Sequence, residues 1–377
     1  MTIAIDIIGT NLGSGTKTYN INLCNELNSL NLNSNSNIII FICRSYLRQI
    51  KKIKNKKIKY IIKPNYLSIS IFRLFWMQFI LPFELKLLGV KKIYSPMNFV
   101  PIISKLLNIK IILCLHTNLP WIYFDFLPGS RIKNFIVKKF MEISIYACDL
   151  LIVNSNFAKK EIIKALQLQK KNIKVVHLGI NKIFFLQKNN KKIKNFNYNQ
   201  KYILSVLSCV KYHNIINVLK AFSLLSENNN LKFVLVLQVL DKNYFFEIKR
   251  FIKNNYLENK VDILNDVSLY ELPELYKKAK VYVFSSYCEV FGYTSLEAMT
   301  QQTPVAISNR SALPEINKNA VKFFDPDDIQ SILNSIESIL SSKNLRKRLI
   351  NKGNNLLKEY DSYKSVRNTI NLIENLN

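Results

Sequence analysis

Two glutamates eight positions apart, Glu289 and Glu297, bracket the stretch best suited to hold a phosphorylated ligand: Val281-Tyr-Val-Phe-Ser-Ser-Tyr-Cys-Glu289-Val-Phe-Gly292-Tyr-Thr-Ser-Leu-Glu297-Ala-Met. An apolar strand ends near Phe284, a loop carries Glu289 and Gly292, and a helix opens near Leu296. Backbone N–H groups at such a helix start suit a phosphate or pyrophosphate. Glu297, a turn further on, would accept hydrogen bonds from a ribose diol, as acidic residues do in dinucleotide sites. Glu289 would lie beside whatever is joined beyond the phosphates; the alternative is a solvated loop glutamate and a helix-capping one. A second cluster, Gly9-Thr-Asn-Leu-Gly13-Ser-Gly15-Thr-Lys17, follows the first apolar run. A P-loop requires glycine directly before the lysine, where Thr16 stands, and the cluster also falls short of GxGxxG. It is either a glycine turn at the carboxyl end of a first strand, where open α/β sheets bind ligands, or a tight turn only. The clustering is informative because the chain has only 8 glycines, against about 26 for a usual share of ~7%.

Apolar runs of strand length alternate with helical periodicity almost throughout, which predicts α/β layers with parallel sheets. Strands are expected at residues 2–8, 37–43, 110–115, 150–153, 173–176, 202–207, 233–237, 281–284 and 304–307; Tyr19, Leu23, Leu27 and Leu30 recur at helical spacing. The polar, basic stretch 187–201 separates two runs that each begin with a strand. This predicts two successive Rossmann-like domains, 1–186 and 202–377, joined by that linker.

The chain has 377 residues, 49% of them hydrophobic, which excludes disordered and collagen-like classes. Its 54 Lys+Arg against 25 Asp+Glu give a net charge of +29. Lysine dominates that count and asparagine is abundant, a pattern that fits compositional bias as well as an anionic ligand. Arginine, favoured at base edges, is scarce, and no nucleic-acid module is visible. Up to residue 185 there are 27 basic and 7 acidic residues, +20; the remainder gives 27 and 18, +9. Six scattered cysteines with no CxxC pair, and only three histidines, argue against zinc and for a reducing, cytoplasmic setting. The N-terminus lacks a basic n-region, and no run reaches 18 apolar residues, so neither a signal peptide nor a membrane span is expected.

The run Glu289-Val-Phe-Gly-Tyr-Thr-Ser-Leu-Glu297-Ala-Met-Thr-Gln-Gln-Thr-Pro304-Val305 resembles the EGFG…LEAM…G-x-PV signature of family-4 retaining glycosyltransferases, with their Glu-x7-Glu spacing. The resemblance extends through Ser308-Asn-Arg-Ser-Ala-Leu-Pro314-Glu315 and Phe324-Asp325-Pro326 to the helix around Gly353. Upstream it takes in Ile152-Val-Asn-Ser155 and Val175-Val-His-Leu-Gly179-Ile-Asn181. It implies a GT-B fold: two Rossmann-like domains facing each other across a cleft, acceptor domain first, nucleotide-sugar domain second, the last helix able to pack back on the first. Carried over by position, Glu297 would bind the donor ribose and Glu289 the sugar hydroxyls near the anomeric carbon. Phe291, Gly292, Tyr293 and Thr294 would meet sugar and diphosphate, and Gly13 and Gly15 match the glycine loop of the first domain. His116 matches a histidine beside the transferred sugar; otherwise it is a hydrogen-bonded histidine closing a strand. No metal or separate cofactor is implied.

Three positions depart from the family pattern. Val290 replaces a glycine, Gln302 replaces the glycine before Pro-Val, and the basic diphosphate clamp is altered, with Ser208 and His213 where Arg and Lys are usual. Losing a permanent charge there should slow departure of the diphosphate unless Lys211 substitutes or His213 acts as imidazolium. The expected function is transfer of a sugar from a nucleotide sugar to a glycan or polyprenyl-linked acceptor, in polysaccharide or lipopolysaccharide assembly. A catalytically inactive homologue serving as a scaffold is the alternative. The basic run 48–63 and the aromatic, basic segment Tyr66–Leu88, with Leu67, Ile71, Arg73, Leu74, Phe75, Trp76, Phe79 and Leu81, would either rest on an anionic membrane as a peripheral attachment or form helices buried beneath the sheet.

Overall fold

The computed structural model describes all residues except 10–13, 31, 33–35, 48–49, 51–54, 169–170, 187–190, 227–229 and 377, together with every described side chain but those of 14 and 226. Gly13 and part of the basic run 48–63 thus lie outside the described residues. The chain forms two compact units, residues 1–118, 135–179 and 360–377 in the first and 119–134 with 180–359 in the second.

In the first unit the strands are β1 (Thr2–Asp6), β2 (Asn37–Cys43), β3 (Ile58–Lys63), β4 (Val90–Ser95), β5 (Lys110–Leu115), β6 (Leu150–Val153) and β7 (Ile173–Val175), in the order β3-β2-β1-β4-β5-β6-β7. The second unit repeats the plan with β8 (Tyr202–Cys209), β9 (Lys232–Val239), β10 (Val261–Leu264), β11 (Val281–Phe284), β12 (Val305–Ser308) and β13 (Lys322–Phe324), ordered β10-β9-β8-β11-β12-β13. All pairings are parallel, with Ile203 of β8 opposite both Phe233 and Val281. The central strands of each sheet, such as β1, β6, β8 and β11, are largely apolar runs buried on both faces, as parallel sheets covered by helices require. In each unit the strand order reverses beside the first strand, the switch point outside which doubly wound sheets bind ligands.

β3, β4, β10 and β13 are absent from the sequence expectation. Lysines interrupt two of them: Lys59 and Lys63 alternate with apolar residues on the edge strand β3, and Lys91 and Lys92 occupy β4. A single cut at 187–201 also fails to describe the units. Residues 119–134 group with the second unit, where Tyr123 and Phe126 stack on each other at 5.4 Å and lie 6.1–6.2 Å from the ring of Tyr287.

The helix Ser362–Glu374 belongs to the first unit and packs on the helix Ser14–Leu27. The Ser362 hydroxyl donates to Glu26 Oε1 at 2.7 Å, and Ser365 donates to the His177 carbonyl at 2.7 Å. Buried Lys92 donates its ammonium to the carbonyls of Ile373 and Glu374, both at 2.9 Å, placing a cation on the negative end of the helix dipole.

The segment Tyr66–Leu88 contains one helical run with a π turn, Ser70–Phe75, Trp76–Ile80 and Leu81–Leu87. Two of its residues point inward. Trp76 is buried against Phe41, and Arg73 pairs with the fully buried Asp6 while donating from Nε to the Ile8 carbonyl at 2.9 Å. An aspartate that deep would be costly without the guanidinium, which fixes this face of the helix inward.

Gly179 is where the returning chain crosses: a Cβ there would come within 2.2 Å of Ser362 Cα. Gly179→Ala must push the C-terminal helix off its seat, so chemical denaturation should register a stability loss of about 3 kcal/mol. An unchanged midpoint would mean that the contact yields freely.

Candidate functional site

The Glu289–Glu297 stretch leaves β11, loops through Ser285–Phe291 and enters the helix Tyr293–Thr300, three residues earlier than the sequence indicates. Gly292 caps that helix at φ +85°, a conformation that glycine adopts without strain, and a Cβ there would also lie 2.7 Å from Leu313 Cδ2. The turn at Gly292 is therefore fixed by both backbone angle and space. Phe291 is buried with its ring edge-on to Tyr293 at 5.2 Å, while Tyr293 and Thr294 are half-buried at the helix start.

One turn on, Glu297 is 5% exposed and its carboxylate accepts a hydrogen bond from the Tyr276 hydroxyl at 3.1 Å. Burial pushes its pKa up to about 7, with the Tyr276 bond working in the opposite direction. Tyr276 comes from the helix Leu272–Lys278, and its ring stands edge-on to Tyr282 of β11 at 5.4 Å. No spacing rule links Tyr276 to Glu297; the pairing arises only because two helices flank β11.

Glu289 sits on the loop, half-buried. Its backbone N–H donates to Ser311 Oγ at 2.9 Å, and its carbonyl accepts from the Ala312 N–H at 3.2 Å. Its Oε1 lies 3.2 Å from His213 Nε2. The other ring nitrogen, Nδ1, faces the Ser208 carbonyl, which only accepts, so Nδ1 carries a proton. His213, oriented by the Ser208 carbonyl, thus sets its Nε2 against the Glu289 carboxylate and links the two loops. The pair stands at the switch point of the second sheet, its loops tied together where Ser285 Oγ donates to the His213 carbonyl at 2.7 Å and the Tyr287 N–H to the Tyr212 carbonyl at 2.8 Å.

Lys211 turns to Glu247, 3.7 Å away, rather than to Glu289. Arg310 donates to Asp325 at 3.0 Å and to Asp327 at 3.1 Å, and Asp327 also accepts from the Tyr287 hydroxyl at 2.7 Å. Each basic side chain of these loops thus has an acidic partner.

His116 and Gly15 belong to the first unit. Gly15 lies in the first turn of the helix Ser14–Leu27, with open space where a Cβ would project. His116 follows β5, its ring 4.9 Å from Tyr19. The Asn154 amide orients the imidazole: its oxygen faces Cys114 Sγ at 3.7 Å, so its nitrogen donates to His116 Nδ1 at 3.1 Å. The ring proton then sits on Nε2, which is buried with no partner among the described residues. Burial lowers the imidazole pKa to about 4, keeping this donor neutral. Ser155, next to Asn154, caps the helix Asn156–Leu166 by accepting from the Ala158 N–H at 3.1 Å. The sequence motif around residues 152–155 thus serves both the cap and His116.

Among the described residues no group of three or more histidine, cysteine, aspartate or glutamate side chains is arranged to hold a metal, and no helix is long and apolar enough to cross a membrane.

Comparison with known proteins gives matches to two family models, "Glycosyltransferase Family 4" over residues 14–182 and "Glycosyl transferases group 1" over residues 187–356. The O-antigen chain mannosyltransferase RfbU of Salmonella typhimurium is 28% identical over 62% of this chain and 62% of its own length. O-antigen chain mannosyltransferase B of Escherichia coli is 24% identical over 66% and 65%. The chain therefore spans a little under two thirds of these relatives. The structure of Anabaena HepE, solved in complex with UDP and glucose, superposes with a TM-score of 0.74 at 15% identity, covering 99% of both chains. This likeness concerns the fold: two Rossmann-like units of the GT-B type.

With its pKa near 7 in the fold and 4.5 when unfolded, Glu297 keeps its proton longer in the native chain. Its contribution to stability is full below pH 4.5 and is lost as pH rises to 7. Glu297→Gln, which needs no ionisation, should match the wild type at low pH and exceed it by about 3 kcal/mol at pH 8, read from urea unfolding at each pH. Equal stability across the range would mean that the carboxylate is solvated.

Proposed function

Because the chain belongs to glycosyltransferase family 4, we propose that it transfers a hexosyl group, with retention of anomeric configuration, from a nucleotide sugar to a glycan or lipid-linked acceptor. The setting we propose is polysaccharide or lipopolysaccharide assembly, which the two O-antigen mannosyltransferase relatives support and which makes mannose the first sugar to test. The observation that carries the reading is the pair of glutamates around the Gly292 turn. Glu297 is buried and would accept both ribose hydroxyls once ionised, while Glu289, held by His213 on the loop before the same helix start, would meet the sugar.

His116 would contribute a neutral Nε2–H donor to a sugar hydroxyl. With His213 set against the Glu289 carboxylate, little clamp charge would remain, and the helix start would supply most of the field at the diphosphate. One observation favours the inactive-homologue reading instead: Lys211, His213 and Arg310 are all paired with carboxylates, so no basic side chain of these loops is left over for a diphosphate.

Calorimetry with UDP-, GDP-, ADP- and dTDP-sugars should find one donor that binds. Its affinity should be about tenfold weaker at pH 6 than at pH 8, because only ionised Glu297 accepts the ribose. Glu297→Gln should lose donor affinity and the pH dependence together. Glu289→Gln should keep the affinity within a few-fold and lower turnover by about 100-fold or more. Full turnover in Glu289→Gln would refute its role, and donor binding with no transfer by the wild type to any glycan or lipid-linked acceptor would identify the inactive homologue.

A further inference from the structure

The helical run Ser70–Leu87 is apolar on both faces. Inward it presents Trp76, Met77, Leu81 and Leu85, all buried. Outward it presents Phe72, Phe75, Phe79, Phe83 and Leu87, between 51% and 87% exposed. These positions recur at three- and four-residue spacing, so they form one stripe along the helix. Phe75 and Phe79 already touch, ring centroids 5.3 Å apart.

Three polar residues of this run are turned inward or engaged, while Ser70 and Lys86 stay exposed. Arg73 reaches inward to Asp6. Gln78 is buried, donating to the Val100 carbonyl at 2.9 Å and accepting from the Ile102 N–H at 2.9 Å. Glu84 pairs with Lys63 at 2.6 Å. These locks hold the helix in one rotational setting, so the phenylalanine stripe cannot roll inward. A helix apolar all round belongs in a core or against lipid, and this one is half outside the core.

The charge around the stripe selects among occupants. Among residues 55–118, all described, the exposed charged side chains are cationic, Lys56, Lys59, Lys86, Lys91, Lys105 and Lys110, and the one acid, Glu84, is engaged by Lys63. A second copy of the chain would bring a like-charged face against this one, whereas anionic headgroups complement it and acyl chains accept the phenylalanines. We infer that the outward face of Ser70–Leu87 is a docking surface for an anionic phospholipid bilayer. The helix lies in the interface with its phenylalanines among the acyl chains and the surrounding lysines on the headgroups. This does not depend on the transfer reaction proposed above.

The test is co-sedimentation of the full chain with vesicles of phosphatidylcholine alone and of phosphatidylcholine mixed with phosphatidylglycerol. Binding is expected to the mixed vesicles, to weaken as salt is raised, and to fall at least about tenfold in Phe75→Ser/Phe79→Ser. Because both rings are exposed, that variant should keep the wild-type melting temperature. The wild-type arm stands without it: no binding to the anionic vesicles, or equal binding to neutral ones, overturns the inference. So does double-variant binding equal to wild type, or a dimer in gel filtration that the double variant dissociates while vesicles go unbound.

Discussion

Strands that all run the same way must each be followed by a return crossover, so within a unit every carboxyl end opens on the same rim. Both units obey this constraint, and the groups with chemistry hang from that rim: His116 after β5, Asn154 after β6, His213 after β8, Glu289 after β11. Reversal of strand order beside β8 leaves two neighbouring loops free to diverge, and there His213 meets Glu289. The buried strands below are interchangeable apolar runs, while the loops above carry the identity of the site.

That division explains what could be read from residues alone. β2, β5, β6 and β11 have bounds that match their expected positions, because apart from the exposed first residues Asn37 and Lys110 each is an apolar run buried on both faces. β3 and β4 are hidden by lysines that an edge position or a helix C-terminus accommodates: Lys59 points to solvent, and Lys92 reaches the last carbonyls of a helix some 280 residues further along the sequence. The Gly292 turn is legible since backbone angle and space both demand glycine there. The partners are not. Tyr276 with Glu297, Asn154 with His116 and Glu247 with Lys211 are brought together by packing, and no local spacing encodes them. The units escape a single linear cut for the same reason at residues 119–134, which join the unit they pack against, whereas the return of residues 360–377 to the first unit is as the family resemblance implies.

Glu297 illustrates the tension between a stable fold and a prepared site. A carboxylate in that position is uncomfortable until something donates to it, and Tyr276 supplies only one donor. Burial disfavours the ionised form of Glu297, and a ligand with two hydroxyls would offset that cost. Asp6 shows the opposite solution. Equally buried, it has Arg73 beside it and the Ile8 N–H on its other oxygen, and so serves as a structural lock.

The return of residues 360–377 to the first unit has a consequence for biogenesis. β1 through β7 leave the ribosome early, yet Lys92 and the face of the helix Ser14–Leu27 lack their cover until residue 374 has been made. The second unit, residues 119–134 with 180–359, has been fully synthesised before that moment. The first unit, although begun earlier, therefore completes its fold only after the sequence of the second has been made.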